Sequence, residues 1–268
     1  MSAKPNRYAQ ALEHIFKAKF KRGARSFEFH RDEFKAACLK LGIKEPDNIG
    51  DIVYSFRYRV ELPESIKKAA PTSTLWIIMP GGKGIYRFEA VKQARLHPAT
   101  GRAVIKVLDS TPGIISANAQ SDEQALLAKL RYNRLIDTFL RITCYSLQNH
   151  LRTTVLGMGQ IEVDEVYLGI DRNGAQYIVP VQAKGGKDFH SAVQIRQDIA
   201  LCNEKFEQFL CRPIGAQFIG DVIALMEFRF HEGEIEVVNE QHYKLVLANE
   251  LSGEEMARYR QASASDSS

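Results

Sequence analysis

The stretch Gly159–Asp188, GQIEVDEVYLGIDRNGAQYIVPVQAKGGKD, decides how the chain is read. Gln160–Leu168 sets Val163, Val166 and Leu168 among acidic residues, and Gln176–Val181 is a β-branched and aromatic run; both are predicted as strands. Between them Asp171-Arg172-Asn173-Gly174 is turn chemistry, with Gly174 able to take positive φ. A three-residue loop, Arg172-Asn173-Gly174, pairs Asp171 with Ala175. It thereby sets Asp164 opposite Gln182 and Glu162 opposite Lys184, all on one face. A two-residue loop, Asn173-Gly174, sets Glu165 opposite Gln182 instead. Either register gathers carboxylates, an amide and a lysine at one end of a hairpin. Buried charge is costly unless it is paired or holds a metal. Carboxylate and amide oxygens suit a hard cation, and a lysine beside them can hold phosphate or steer water.

Asp164 followed by Gln182-Ala183-Lys184 resembles the PD-(D/E)xK nuclease motif, and Val181–Lys184 is similar to the Gln-x-Lys form of Mrr-like restriction nucleases. The likeness spans roughly Arg131–Phe230, though its specific part is short. Two departures stand out: no proline precedes Asp164, and Gln182 replaces the usual acidic residue. The resemblance implies an α/β restriction-endonuclease-like core, a mixed central sheet flanked by helices, that hydrolyses phosphodiester bonds in double-stranded DNA with Mg²⁺ or Mn²⁺. Asp164 is then the main metal ligand and Gln182 gives an amide oxygen. Glu162 or Glu165 completes the set, and Lys184 orients water or stabilises charge on the phosphate. Cutting two strands implies a symmetric dimer. The Gln182 departure also admits a DNA-binding protein with a degenerate nuclease fold, and an RNA-processing nuclease is a third reading.

The order around the hairpin agrees. Residues from Ser121 to about Asn149 are predicted as helix, broken near Tyr132-Asn133, with Ser121 as N-cap and Asp122-Glu123-Gln124 in the first turn. Asp137 is a candidate acid projecting from this helix into the site, and His150 contacts a phosphate or, the favoured reading, caps the helix. After Lys184, Gly185-Gly186 permits close approach to a ligand. Lys187 is a candidate DNA contact, and Ser191–Phe209 is a helix presenting Gln194, Gln197 and Asp198 about one turn apart, with Gln194 and Gln197 candidates to bind scissile-strand phosphate or a metal-bound water. Pro213–Phe218 and Asp221–Phe230 read as strands, Glu234–Val238 and Tyr243–Leu247 as a closing hairpin, and Ala262–Ser268 as a disordered tail.

The chain has 268 residues, 45% hydrophobic and 25% charged, enough for one large or two ordinary domains. The net charge of +4 is uneven. Residues 1–110 hold 21 Lys+Arg against 11 Asp+Glu; the remainder hold 15 against 21. A basic first part before an acidic second part suggests a nucleic-acid grip joined to a metal-binding module. No apolar run reaches membrane-spanning length and no apolar signal core is present. The four cysteines lack metal-ligand spacing, so a cytoplasmic protein is expected.

In the first part, Pro5–Phe20 has helical apolar spacing and Phe27–Phe29 reads as a short strand. Arg31–Leu41 and Asn48–Arg59 read as helices, and Leu75–Met79 and Ile85–Phe88 as strands joined by a Gly-rich loop. This resembles a winged helix-turn-helix, which implies DNA contacts from Tyr54, Arg57 and Arg59 on the second helix and Lys83 on the wing. The loop Gly81–Gly84 lacks the Gly-Lys-Ser/Thr ending of a nucleotide-binding loop. Leu96–Ser121, with Pro98, Gly101, Pro112, Gly113, Ser116 and Asn118, is the best boundary. The expected division is a winged-helix-like α+β domain at 1–114 and a nuclease domain at 115–268, with Val104–Leu108 a further strand of the first.

Overall fold

The computed structural model describes residues 7–118 and 123–265. The first half begins with α1 (Arg7–Lys19), β1 (Ser26–His30), α2 (Arg31–Lys40), α3 (Ile49–Tyr58) and the short α4 (Glu64–Lys68), which the sequence did not suggest. The hairpin β2 (Leu75–Gly82) and β3 (Ile85–Val91) follows. The three strands form an antiparallel sheet in the order β1-β3-β2. The 3–4 spacing of Leu12, Ile15 and Phe16 in α1, and of Ile49, Val53 and Phe56 in α3, buries one face of each helix. Their common core is aromatic: Phe16 meets Trp76 and Phe88 edge-on at 5.5 and 5.1 Å.

The chain continues through β4 (Arg95–Leu96), β5 (Val104–Leu108), α5 (Gly113–Asn118), α6 (Glu123–Tyr132) and α7 (Leu135–Leu140). Ser121 and Asp122, expected to start a helix, lie outside the described residues. A meander follows of β6 (Thr143–Val155), β7 (Gly159–Ile170) and β8 (Gln176–Lys184). Then come β9 (His190–Ser191), α8 (Ala192–Lys205), β10 (Leu210–Cys211), β11 (Ile214–Ile219), β12 (Val222–His231), β13 (Glu234–Val246) and α9 (Gly253–Ser265).

A mixed, curled sheet runs β5-β13-β12-β11-β8-β7-β6, with β10 beside β8. β8 pairs parallel with β11 and β5 parallel with β13; the remaining neighbours along this path are antiparallel. The helices α6 and α7 cover one face through Leu126, Leu130, Ile136 and Phe139 against Val181, Ala216 and Leu225. Helix α8 covers the other through Leu201 and Cys202 against Val166 and Ile178. The architecture is thus α/β, with a mixed central sheet flanked by helices, as expected.

Several boundaries differ from the sequence reading. The predicted helix ends at Leu140, where Arg141 takes a left-handed φ of 56°. Thr143–Val155 is a strand, because Thr143, Tyr145, Thr153, Thr154 and Val155 favour extended backbone and β7 offers a partner. Leu147, read as part of an apolar helix side, is largely exposed. Val104–Leu108 pairs with β13 and so joins the large sheet, not the first domain's. The expected closing hairpin is one long strand, β13, with its irregularity opposite Glu227/Phe228. The tail expected to be disordered from Ala262 continues α9 through Ser265, and residues 266–268 lie outside the description.

The two sheets are joined by side chains. Ile77, Met79 and Val91 bury against Val193 of α8. Arg196 of α8 binds Glu89 of β3 at 2.6 Å, with both side chains largely buried. β9 pairs with β4, and the His190 ring, 1% exposed, packs against Phe228 and over Gly215.

Candidate active site

The turn between β7 and β8 takes the three-residue form. Asp171 N–H donates to the Ala175 carbonyl at 3.1 Å, Gly174 has φ +83°, and the ladder runs from Ile170↔Gln176 to Glu165↔Val181. The Asp171 carboxylate steadies the turn by accepting from Asn173 and Ala175 N–H. Extending this register sets Asp164 level with Gln182. There the ladder gives way to a side-chain bond: Asp164 Oδ2 accepts from Ala183 N–H at 2.8 Å. The strands part at that point, and a cleft of about 690 Å³ opens over Asp164, Gln182 and Lys184.

The two candidate acids are separated where alternation slips, Val163 and Val166 both burying on the α8 side. Asp164 lies on the face covered by α8, and burial pushes its carboxyl upward against the opposing pull of the Ala183 N–H and Lys184. Glu165, fully buried, lies on the α6 face. It accepts from Arg131 Nε at 3.1 Å and Ser146 Oγ at 2.6 Å. Glu165 is therefore not brought to Lys184; it neutralises Arg131 beneath α6. Glu162 lines the cleft half-exposed, bound to Arg152 at 3.0 Å.

Gln182 is 2% exposed, and its amide orientation can be read from its partners. Nε2 donates to both oxygens of Asp198 at 3.1 Å and to the Glu162 carbonyl at 3.1 Å. With the amino side committed, Oε1 is the atom left for the cleft. Asp198, 1% exposed on α8, has its carboxyl pushed well above the ordinary range by burial. The sequence placed Asp198 on the face of α8 that looks toward the site, but gave it no part in holding Gln182.

Lys184 leads its ammonium toward Glu123 Oε1 at 3.4 Å, with its side chain 13% exposed. Glu123 opens α6, and burial raises its carboxyl while Lys184 opposes the rise. Sequence reasoning used Glu123 only as a first-turn acid; nothing local signals its reach to a lysine sixty-one positions on. Asp137, the candidate from the same helical segment, is elsewhere. It pairs with Arg134 and accepts from Cys144 N–H at 2.8 Å, stitching α7 to β6. His150 is not a cap; it sits mid-β6 with φ +47°, lines the cleft and meets Gln124 at 2.9 Å.

The opposite wall of the cleft comes from α3 and the β2–β3 hairpin. Tyr54 is exposed there, with the Tyr58 ring at 4.7 Å and the Arg59 guanidinium 5.2 Å from its ring centre. Arg57 Nε donates to the Ile78 carbonyl at 2.8 Å, and its guanidinium lies over Tyr86. Its Nη2 is buried without a hydrogen-bond partner. Burial lowers the Arg57 pKa, as expected for a cation with no carboxylate at hand. Gln194 and Gln197 form part of the cleft, and Tyr58 donates to Gln197 Oε1 at 3.0 Å. Lys83 is exposed on the β2–β3 turn beside the cleft. Lys187 is exposed too, but lines a separate hollow with His97 and Arg102.

Among the described residues no three His, Cys, Asp or Glu side chains form a metal-ligand cluster by themselves. The donors that do converge are one carboxylate, one oriented amide oxygen and, across Lys184, a second carboxylate. No family model, curated protein or solved structure matches the chain.

Proposed function

We propose that the protein is a metal-dependent DNA endonuclease with a restriction-endonuclease-like core. The observation that carries this is the meeting of Asp164, the Gln182 amide and Lys184 where β7 and β8 part, inside a cleft. All-oxygen donors of this kind suit Mg²⁺ or Mn²⁺, which bind through one or two carboxylates and keep their own waters. A divalent ion there supplies polarisation of a phosphoryl oxygen and a more acidic water. Asp164 and Gln182 Oε1 would hold it, and Glu123, which faces Lys184 at 3.4 Å, would join them. Glu162 is set back by its bond to Arg152. Lys184 offers a shielded positive charge to the phosphate as negative charge builds on it. The element order α1-β1-α2-α3-β2-β3, with β3 central in its sheet, supports a winged-helix reading of the first half, and Arg57, Arg59 and Lys83 supply its positive charge. A homodimer in the cytoplasm, acting in restriction, completes the proposal.

The test is nicking and linearisation of plasmid DNA with Mg²⁺ or Mn²⁺ against an EDTA control. Asp164→Ala and Lys184→Ala are expected to lower the rate by about 10²-fold or more while DNA binding persists. The amide at position 182 favours one second reading, a binding protein that has lost catalysis. Metal-independent binding with no cleavage of DNA or structured RNA would establish that instead.

A further inference from the structure

The wall opposite Lys184 bears on what kind of strand reaches it. For α3 to enter a major groove its exposed side must be free. Here Tyr58 of α3 is bound to Gln197 of α8, and Arg57 to the backbone of β2. The Arg196–Glu89 ion pair and the apolar cluster of Ile77, Met79, Val91 and Val193 hold the same two walls together. The opening left between them, about 690 Å³, falls in the range of small-ligand sites, about 300–1,000 Å³. A smaller hollow of about 180 Å³ shares Tyr54, Tyr58, Gln194 and Lys184 with it, so the track continues past the lysine toward Phe189. Aromatic rings beside a positively charged groove are how unpaired bases and their backbone are held. Tyr54, 45% exposed and backed by Tyr58 and Arg59, offers such a ring; Arg57, Arg152 and Lys184 offer positive charge, set among the carboxylates of Asp51, Glu123, Glu162 and Asp164.

We propose that the cleft takes an unpaired polynucleotide strand, with a base against Tyr54 and the backbone passing Lys184, and excludes an intact duplex. This rests on the nuclease reading of the site but replaces its intact-duplex substrate with a strand unpaired where it is cut, as in locally opened plasmid DNA, and the two are tested separately. Binding is measured by fluorescence anisotropy in EDTA, where no hydrolysis intervenes. The probes are a labelled mixed-sequence DNA strand, the RNA of the same sequence, and the blunt DNA duplex. Either single strand is expected to bind about tenfold or more tighter than the duplex. Tyr54→Ala is expected to weaken single-strand binding roughly 5- to 100-fold and Tyr54→Phe to retain it. Tyr145→Ala, on an exposed part of β6 outside the cleft, changes neither. The proposal is overturned if the duplex binds as tightly as the single strands, or if Tyr54→Ala weakens both alike or neither. Single-strand binding without metal-dependent cutting would remove the nuclease reading and leave this one; cutting of a tightly bound duplex would do the reverse.

Discussion

His190 makes the acid stability of the fold calculable. Its ring is 1% exposed between Phe228 and Gly215, and neither nitrogen hydrogen-bonds a protein group. Burial, with Lys184 and His97 adding repulsion, lowers its pKa from 6.5 to about 3. A base whose folded pKa is lowered gives its full stability above the unfolded value and loses it as pH falls toward the folded one. At pH 5 the unfolded imidazole is largely protonated and the folded one is not, which costs about 2 kcal/mol relative to pH 8. His190→Leu removes both the titration and two unpaired nitrogens. At pH 8 it should be within about 1.5 kcal/mol of wild type, since the volumes are similar. Between pH 8 and pH 5 the leucine variant should gain about 2 kcal/mol on wild type. Urea unfolding followed by far-ultraviolet circular dichroism measures both. Taking the difference between the two proteins cancels every other titrating group. An unchanged difference between the two pH values would refute the reasoning.

Three further outcomes follow from the same geometry. Gly215→Ala sets a methyl 2.8 Å from His190 Cε1 and Phe228 Cε2, so it should cost about 1–3 kcal/mol and lower Tm in calorimetry. Glu165→Gln should leave Mn²⁺ affinity unchanged in a calorimetric titration, because Glu165 faces Arg131; Asp164→Asn should abolish it, and equal losses would contradict the register. Asp198 has its carboxyl raised in the fold, so its stabilising share is present at low pH and lost as pH rises through that raised value. Asp198→Asn should therefore gain on wild type as pH rises in urea unfolding, and a gain toward acid would contradict the raised carboxyl.

Most of the central hairpin was legible because its turn chemistry and alternation act over a few residues. Asp171, Asn173 and Gly174 specify the loop, and the loop sets Asp164 against Gln182. What the sequence left open, Asp164 or Glu165, depended on that one-residue choice, since a shift of register flips every side chain. Glu123 was not legible as a site residue, and Asp198 only as one of three polar residues on a helix face turned toward the site. Each reaches the site from a helix whose packing is fixed by the whole sheet, and neither has a local signature. Thr143–Asn149 was misread because Leu140 and Leu147 continue the helical spacing of the preceding segment, while its pairing with β7 is a tertiary fact. Tyr54, Arg57 and Arg59 were found by their charge and aromatic character. The bond that ties α3 to α8, Tyr58 to Gln197, followed only from the structure.

The pairing of β5 with β13 has a consequence for how the chain is made. Val104–Leu108 emerges from the ribosome well before its partner, His242–Val246. Until then one border of the sheet stays open, and closing it requires a long loop to be drawn in, which makes such parallel contacts slow. Refolding should accordingly show a late phase in which β13 acquires protection from hydrogen exchange after the β6–β8 meander. The unzipped border is also where newly made copies of the chain are most prone to join one another.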